Sequence, residues 1–285
     1  MKNTPVIDAH VHIFPPEMIA QREELLRADS WFGEAFGHPK ARMRTAEELI
    51  ASMDKAGVDM SVVVGWPWQS NTDCAVHNTY LADVAARYPE RIAWLGIINP
   101  VADGAISEID RCIALGASGL GEINADGQGF LWSEPTKWIG ALRHIAACQL
   151  PIMIHTSEPL GHLYPGKGTA TPAEVLTAIA AVPEIHWVLA HWGGGLPFYE
   201  LMPEVRQACE HVAYDSAATS YLYDPEVFRR VIDLVGLEKV LFGSDWPVLG
   251  QGKLLERVRS LELTEAEMAA VLGGNAARVY GIGST

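Results

Sequence analysis

Cysteine is scarce in this sequence: four of the 285 residues are cysteines, and none lies near another along the chain. This spacing excludes a CxxC metal knuckle and the dense disulfide framework of small secreted domains. A chain of this length buries roughly three quarters of its unfolded surface, so it needs no disulfides to hold a core. We therefore predict an intracellular protein with reduced, buried thiols at Cys74, Cys112, Cys148 and Cys209.

Positive charge and long apolar runs are also lacking. The formal net charge is −14, which argues against nucleic acid and anionic membrane surfaces as partners, because both repel an acidic protein. The first apolar run, residues 5–13, is interrupted by an aspartate and two histidines, so it does not resemble a signal peptide. No stretch reaches the roughly 20 apolar residues of a membrane span. We expect a cytoplasmic protein that acts on a small molecule.

The sequence does contain a repeated alternation of apolar and helical segments. Short runs rich in branched apolar residues are each followed by Gly, Pro or polar residues, and most are then followed by a segment of helical composition. Eight predicted strands cover residues 6–13, 60–65, 92–98, 119–123, 152–155, 185–191, 212–215 and 240–243. Predicted helices cover residues 46–56, 74–88, 106–115, 138–148, 172–181, 201–209 and 225–235. The pattern predicts an α/β fold, a (β/α)8 TIM barrel, as one domain over residues 1–285.

The connections between these segments argue for the barrel and mark its functional end. An open doubly wound sheet shows the same alternation, but it usually has a Gly-rich turn after its first strand, where this sequence has His-x-His. Two connections exceed the usual few residues: 14–45 after strand one and 156–171 after strand five. Both leave the carboxyl end of a strand, where barrel enzymes place their sites. We therefore expect long loops there that cover the site and select the substrate.

His10 and His12 lie two residues apart in the first predicted strand. Side chains alternate along a strand, so both imidazoles point to the same face, about 6–7 Å apart. Two imidazoles in an otherwise apolar strand need a polar partner, and a metal ion satisfies both at once. A pair of structural histidines is the alternative interpretation.

Three further metal-competent side chains come at the ends of other predicted strands. His155 ends strand five, His191 ends strand six and Asp245 follows strand eight. Each alone would suit a turn or a hydrogen-bonded core position. Together they agree with the His-x-His strand, because the carboxyl ends of barrel strands meet on one face. Imidazole and carboxylate donors without thiolate suit zinc, manganese or iron(II).

Four motifs at the strand ends resemble the signatures of a known group of enzymes. They are Val-Ile-Asp-Ala-His-Val-His at 6–12, Ile-His at 154–155, Ala-His-Trp-Gly-Gly at 190–194 and Phe-Gly-Ser-Asp-Trp-Pro at 242–247. The sequence resembles the amidohydrolase superfamily, in the branch that includes the aminocarboxymuconate-semialdehyde decarboxylase-like enzymes. Residues 273–280 are similar to the closing helix of that branch. The resemblance spans essentially the whole chain, and its motifs are specific for fold and metal site but not for the reaction.

The resemblance implies roles for these residues. His191 would be a catalytic acid, base or electrophile in decarboxylase-like members and a metal ligand in two-metal members. Glu122 ends predicted strand four, where hydrolytic members have a metal-binding carboxylate, so the resemblance allows one or two ions. A buried Glu122 that pairs with an arginine or caps the next helix is the alternative. A divalent ion, first of all zinc, with manganese or iron(II) as alternatives, would be held by His10, His12, His155 and Asp245.

Side chains of the long connections and strand ends are candidates for substrate binding. The residues that could bind a substrate carboxylate are Arg42, Arg44, His162, Tyr164 and Lys167. The residues that could form the wall of an aromatic or apolar pocket are Trp66, Trp68 and Trp192. The alternatives are a solvated loop surface for the first group and ordinary core packing for the second.

These features together lead us to expect a metal-dependent hydrolase of a small carboxylate-bearing amide, lactone or ester. In that mechanism the metal lowers the pKa of a bound water, Asp245 takes the proton as general base, and His191 polarises the carbonyl or helps to bind the metal. The alternative is non-oxidative decarboxylation, with Asp245 or His191 protonating the carbon that loses CO2. A Glu122 bound to the metal would favour hydrolysis, and a remote one would favour decarboxylation. A non-catalytic binding protein is the third hypothesis, and the resemblance alone suggests a homodimer.

Overall fold

The computed structural model describes residues 4–283 and contains eight parallel strands that pair in sequence order. This arrangement, with helices between the strands, confirms the predicted TIM barrel. The predicted bounds of the fourth and seventh strands agree with the structure, and the other predicted strands are longer than the observed ones. The strands are β1 (Ile7–His12), β2 (Met60–Val64), β3 (Ile92–Gly96), β4 (Gly119–Ile123), β5 (Ile152–Ile154), β6 (Trp187–Leu189), β7 (Val212–Asp215) and β8 (Val240–Leu241).

The barrel closes between β1 and the segment that follows β8. The Asp245 amide donates to the His10 carbonyl oxygen at 3.0 Å, and the His12 amide donates to the Trp246 carbonyl oxygen at 2.7 Å. The chain beyond β8 therefore continues along β1. This backbone pairing, between residues more than 200 positions apart, brings Asp245 beside the two histidines of β1.

Both faces of the strands are buried. Along β5 to β8, one residue of each strand packs in a cluster inside the barrel: Met153, Val188, Ala213 and Leu241. Neighbouring residues such as Trp187 pack in a second cluster between the strands and the helices. Burial on both faces explains why these strands are continuous apolar runs in the sequence.

Helices alternate with the strands. The predicted helices 46–56 and 172–181 agree with the structure at both ends, and the other predicted bounds shift by at most three residues. The α-helices are α1 (Pro16–Ala20), α2 (Arg22–Ala28), α3 (Ser30–Phe36), α4 (Ala46–Ala56), α5 (Asn71–Arg87), α6 (Ala105–Ala114), α7 (Ala125–Gln128), α8 (Pro135–Ala147), α9 (Pro172–Ala181), α10 (Ala190–Gly193), α11 (Pro203–Ala208), α12 (Thr219–Leu222), α13 (Val227–Val235), α14 (Gln251–Arg259), α15 (Glu265–Ala269) and α16 (Asn275–Val279). Two 3-10 turns (Leu196–Leu201 and Leu237–Lys239) and a π-helical turn (Ala270–Gly274) complete them.

The sequence predicted a plain loop for the long connection after β1. The structure corrects this, because the connection carries α1, α2 and α3. Asp29 caps α3 by accepting from the Phe32 amide at 2.8 Å. Phe32 stacks on Phe36 with ring centroids 4.7 Å apart, and both rings pack with Phe14 and Trp66. Trp66 lies after β2, so the contacts that hold these helices join distant parts of the sequence, and no local pattern indicates them.

Within residues 4–283, no helix is long and apolar enough to span a membrane. Cys74, Cys112 and Cys209 are buried as predicted, whereas Cys148 is partly exposed. The cytoplasmic location, the homodimer and the extent of the single domain stay predictions.

Candidate active site

Six titratable side chains meet at the carboxyl ends of the strands, at the floor of one cavity. The cavity has a volume of about 530 Å³. Five of the six side chains line it, and the sixth, His10, lies beneath them and is fully buried. Sequence reasoning singles out all six, and the structure brings them together. They are His10 and His12 of β1, Glu122 of β4, His155 after β5, His191 of α10 and Asp245 after β8.

The two histidines of β1 direct their Nε2 atoms at each other, 3.1 Å apart. His10 Nδ1 faces Asp215 Oδ2 at 2.9 Å, and His12 Nδ1 faces the Gly65 carbonyl oxygen at 3.2 Å. An acceptor beside Nδ1 keeps the proton of a neutral imidazole on that atom, so Nε2 presents its lone pair. Two lone pairs that converge in a buried site call for a cation.

Two carboxylates complete this half of the cluster. Glu122 Oε2 lies 3.7 Å from His10 Nε2 and 3.6 Å from His12 Nε2. Asp245 Oδ1 lies 3.9 Å and 3.5 Å from the same two nitrogens. Nitrogen and oxygen donors without sulfur are typical of zinc, manganese and iron(II) sites. The residues present therefore fit a divalent metal ion.

Glu122 also faces the other half of the cluster. Its Oε1 atom lies 2.9 Å from His155 Nδ1 and 3.5 Å from His191 Nε2. The two oxygens of one carboxylate thus contact four imidazoles. The structure gives Glu122 these partners instead of the arginine or the helix cap considered as alternatives from the sequence.

Carboxylates around the buried imidazoles change their protonation. Burial favours the neutral imidazole, but the carboxylates of Asp215, Glu122 and Asp245 outweigh burial and raise the pKa of His10 to about 10. Burial likewise opposes the charged form of His191, whereas Glu122 and Asp245 raise its pKa to about 9. A cluster that stabilises protons in this way also attracts a metal cation.

Sequence reasoning misses a seventh residue, Asp215, which lies beside His10 and His191 of the cluster. It ends β7 and is fully buried. Its Oδ1 atom accepts from the His191 amide at 3.2 Å and from the Ala217 amide at 2.9 Å, while Oδ2 faces the His10 ring. Asp215 therefore connects His10, a candidate metal ligand, to the backbone of His191. The sequence could have indicated Asp215, because it is a metal-competent side chain at the carboxyl end of a predicted strand, as His155 is.

The chain turns sharply after β6. His191 and Trp192 have positive φ angles of 56° and 59°, and a Cβ at Gly194 would lie 2.4 Å from the Ser157 carbonyl oxygen. The turn brings His191 to the cavity and directs Trp192 into the core, where it is fully buried and donates from Nε1 to Thr219 Oγ1 at 2.8 Å. This geometry corrects the expectation that Trp192 forms a wall of the pocket.

Aromatic side chains form the walls of the cavity. Trp66 and Tyr164, both singled out from the sequence, line it, as does the exposed cation Arg42. Several other lining residues come from the long connection after β1, which was expected to cover the site, and from the segment after β7; sequence reasoning did not assign them to substrate binding. These are Trp31, Phe36, His38, Lys40 and Tyr221.

Four other residues of the predicted substrate-binding and pocket-wall groups lie outside the cavity lining: Arg44, Trp68, His162 and Lys167. Lys167 pairs with Glu158, with Nζ and Oε1 3.1 Å apart. The His162 ring packs edge-on against Tyr221 at a centroid distance of 5.0 Å. Both contacts occur within or beside the loop after β5. The structure therefore corrects the expectation that Lys167 and His162 face the substrate.

Comparisons with known proteins find decarboxylases. The chain is 25% identical to a 2-amino-3-carboxymuconate-6-semialdehyde decarboxylase of Dictyostelium discoideum, over 82% of this chain and 76% of the relative. It is 23% identical to a gamma-resorcylate decarboxylase of Rhizobium radiobacter, over 71% of this chain and 74% of the relative. Its fold is similar to that of a 5-carboxyvanillate decarboxylase of Novosphingobium aromaticivorans, solved with manganese (TM-score 0.81, 18% identity, 97% and 96% of the two chains).

These relatives overturn the expectation of hydrolysis. The metal-dependent hydrolase expected from the sequence is wrong, and the alternative, decarboxylation, agrees better with both relatives. Glu122 lies within the donor cluster, the position that the sequence argument associated with hydrolysis, so its place there does not distinguish the two reactions. The physical reason is that the same imidazole and carboxylate donors serve either reaction, because the metal polarises a substrate oxygen in both.

The family itself is shown by the match over almost the whole barrel. A family model described as amidohydrolase matches residues 7–282, which include every strand and all six titratable side chains of the cluster. The protein is therefore an enzyme of the amidohydrolase superfamily, and its chain belongs to the amidohydrolase family.

Proposed function

We propose that this protein is a metal-dependent decarboxylase that removes CO2 from an aromatic carboxylic acid without oxidation. The observation that supports this most directly is the cavity, which joins aromatic walls to a buried donor cluster that fits a divalent ion. The names of the two relatives support the reaction class. The substrate is a small molecule, because the cavity that leads to the donor cluster has a volume of about 530 Å³.

The donor cluster has the ligands for one divalent ion, with Glu122 as a further donor. Imidazole nitrogens and carboxylate oxygens suit zinc, which is our first proposal, and manganese, which the structural neighbour contains, is the competing one. A bound ion would supply Lewis-acid polarisation of the substrate carboxylate and an adjacent oxygen. The ligands in this proposal are His10, His12, His155 and Asp245.

The walls and the rim of the cavity orient the substrate. Trp66 and Tyr164 offer ring faces to an aromatic ring, and offset or edge-to-face contacts of this kind contribute about 0.5–1.5 kcal/mol each. The exposed cations Lys40 and Arg42 lie in the lining of an otherwise acidic protein, so they attract an anionic substrate to the cavity.

The proton that replaces CO2 comes from the cavity floor. His191 Nδ1 lies 3.3 Å from the Ala217 carbonyl oxygen, which fixes a proton on Nδ1 and leaves Nε2 to exchange protons with the substrate. The bond between the ring carbon and the carboxylate carbon breaks, and its electron pair stays on the ring carbon. A proton from His191 Nε2 or from Asp245 forms the new C–H bond, CO2 leaves, and solvent returns the proton to the donor.

The test incubates protein loaded with zinc, manganese or iron(II) with γ-resorcylate or 5-carboxyvanillate in D2O. We expect CO2 release and one deuteron on the ring carbon that carried the carboxylate. Loss of a positioned proton donor in His191→Asn lowers kcat about 10²–10⁴-fold, whereas His211→Asn, a change at an exposed histidine, leaves it unaltered. Binding of either acid without CO2 release under any of the three metals would refute the proposal in favour of a non-catalytic binding protein.

A further inference from the structure

The loop from β5 to α9, residues 156–171, reaches over the cavity. Tyr164 and Gly166 line the cavity. The Tyr164 ring lies 5.6 Å from the ring of Tyr221 in α12, and the Gly166 amide donates to Glu34 Oε1 of α3 at 3.4 Å. The loop therefore touches the segments on both sides of the cavity mouth.

Lys167 satisfies its charge inside this loop. Its Nζ atom donates to the carbonyl oxygens of Leu160 at 2.7 Å and His162 at 3.1 Å, and it lies 3.1 Å from Glu158 Oε1. Three acceptors use all three N–H donors of the ammonium group. The Lys167 and Glu158 side chains are only 10% and 14% exposed. Removing one partner of such a pair leaves the other charge poorly solvated, so both are needed.

The same ion pair holds Tyr164. The Tyr164 hydroxyl donates to the other Glu158 oxygen, Oε2, at 3.0 Å, and Lys167 Nζ lies 5.5 Å from the centroid of the Tyr164 ring. The hydroxyl of Tyr164 is therefore engaged within the loop. The ring is the part of Tyr164 left for contact with a substrate.

The base of the loop is closed independently of any substrate. The Gly168 amide donates to Ser157 Oγ at 2.9 Å, and the Ser157 amide donates to the Ala170 carbonyl oxygen at 3.0 Å. Thr169 donates from its amide and its hydroxyl to the Asp126 carboxylate, each at 2.8 Å. The first two bonds join the two ends of the loop to each other, and the Thr169 bonds tie its second end to α7.

We propose that residues 157–168 form a preassembled roof over the cavity, in which Tyr164 is a specificity-determining residue for aromatic acids. Glu158 and Lys167 are positioning residues that act through Tyr164. The roof holds the ring in place before the substrate arrives, so binding does not have to order the loop. This inference rests on the proposed function, because it assumes that the cavity accepts an aromatic acid.

The test compares Glu158→Gln and Lys167→Met with the matched changes Glu134→Gln and Lys137→Met. Glu134, which precedes α8, and Lys137 in its first turn form an exposed pair, with Nζ and Oε2 2.7 Å apart. In the first two variants we expect hydrogen exchange in residues 157–168 to become about 10-fold faster, as for a segment that opens more often. KM and Kd for γ-resorcylate rise roughly 10-fold, as for a competent loop populated a tenth of the time, while kcat and metal content stay unchanged. The two control variants behave like the wild type.

Variants of Tyr164 separate the ring from the hydroxyl. Tyr164→Ala removes the wall and raises Kd for γ-resorcylate at least as much as Glu158→Gln, whereas Tyr164→Phe keeps the ring and the Lys167–Glu158 pair and raises Kd less than Glu158→Gln. Equal losses in both, with loop exchange in Tyr164→Phe as slow as in the wild type, would show that the hydroxyl binds the substrate and would overturn the inference. Wild-type exchange in the loop as fast as in a free peptide, or unchanged exchange and affinity in Glu158→Gln and Lys167→Met, would do the same. If the wild type binds no aromatic acid, the proposed function and the role of Tyr164 fail together, and the exchange measurement alone decides whether the roof is preassembled.

Discussion

Replacing Asp215 by Asn tests the link between β7 and the candidate metal ligands. The aspartate carboxylate accepts hydrogen bonds on both oxygens: His10 Nδ1 on one side and the amides of His191 and Ala217 on the other. An asparagine has only one oxygen. Its NH2 group must face either the His10 ring or two backbone N–H donors, and one of these contacts is lost in both orientations.

We expect Asp215→Asn to act mainly by weakening the binding of the metal ion. If the NH2 group faces His10, it donates to Nδ1 and moves the ring proton to Nε2, the atom that points at His12 Nε2 3.1 Å away. A protonated Nε2 cannot bind a metal. Loss of such a supporting carboxylate typically weakens metal binding about 10–100-fold, which corresponds to about 1.4–2.8 kcal/mol.

Competition with a chelator of known affinity measures this directly, without any substrate. Glu200→Gln is the matched control, because Glu200 is a carboxylate of similar burial that bonds the Tyr214 hydroxyl and Lys239 instead of the cluster. We expect both variants to lose stability but only Asp215→Asn to lose metal affinity. Equal metal affinity in a folded Asp215→Asn protein would refute the reasoning.

Two further predictions concern stability. Burial lowers the pKa of His77 from 6.5 to about 4, so the unfolded chain binds a proton that the folded one does not, and about 3 kcal/mol is lost as pH falls from 6.5 to 4. In urea unfolding, the stability advantage of the wild type over His77→Asn should shrink by that amount between pH 7 and 4; a constant advantage would contradict it. A Cβ on Gly273 would lie 1.9 Å from the Pro5 carbonyl oxygen, so Gly273→Ala should cost about 1–3 kcal/mol. Gly274→Ala, whose Cβ would have its nearest contact at 3.3 Å, should lower the melting temperature less.

Local patterns were sufficient for the barrel. Strands buried on both faces are short continuous apolar runs, and the strand that ends in Asp215 has the bounds predicted for it. The helix Ala46–Ala56 begins where predicted because Thr45 and Glu48 form a capping box, a signal contained within four residues. The helices after β1 escaped prediction because their aromatic rings pack against residues from other parts of the chain.

The candidate site divides along the same line. Its donor residues were predictable because each lies at the carboxyl end of a strand, and a parallel barrel brings those ends together. The orientation of the side chains was not predictable. Trp192 is directed into the core by a left-handed turn, and Lys167 is engaged by carbonyl oxygens of its own loop. Both orientations depend on backbone geometry that cannot be predicted from the residue types.

The sequence by itself determined the barrel, the donor set and the end of the barrel where the donors gather, because periodicity and strand order are properties of neighbouring residues. Only the tertiary structure decided which acceptor orients each imidazole, which side chains line the cavity, and how Asp215 supports His10 across 205 positions of the chain. Those contacts depend on distances between segments that meet only when the barrel closes.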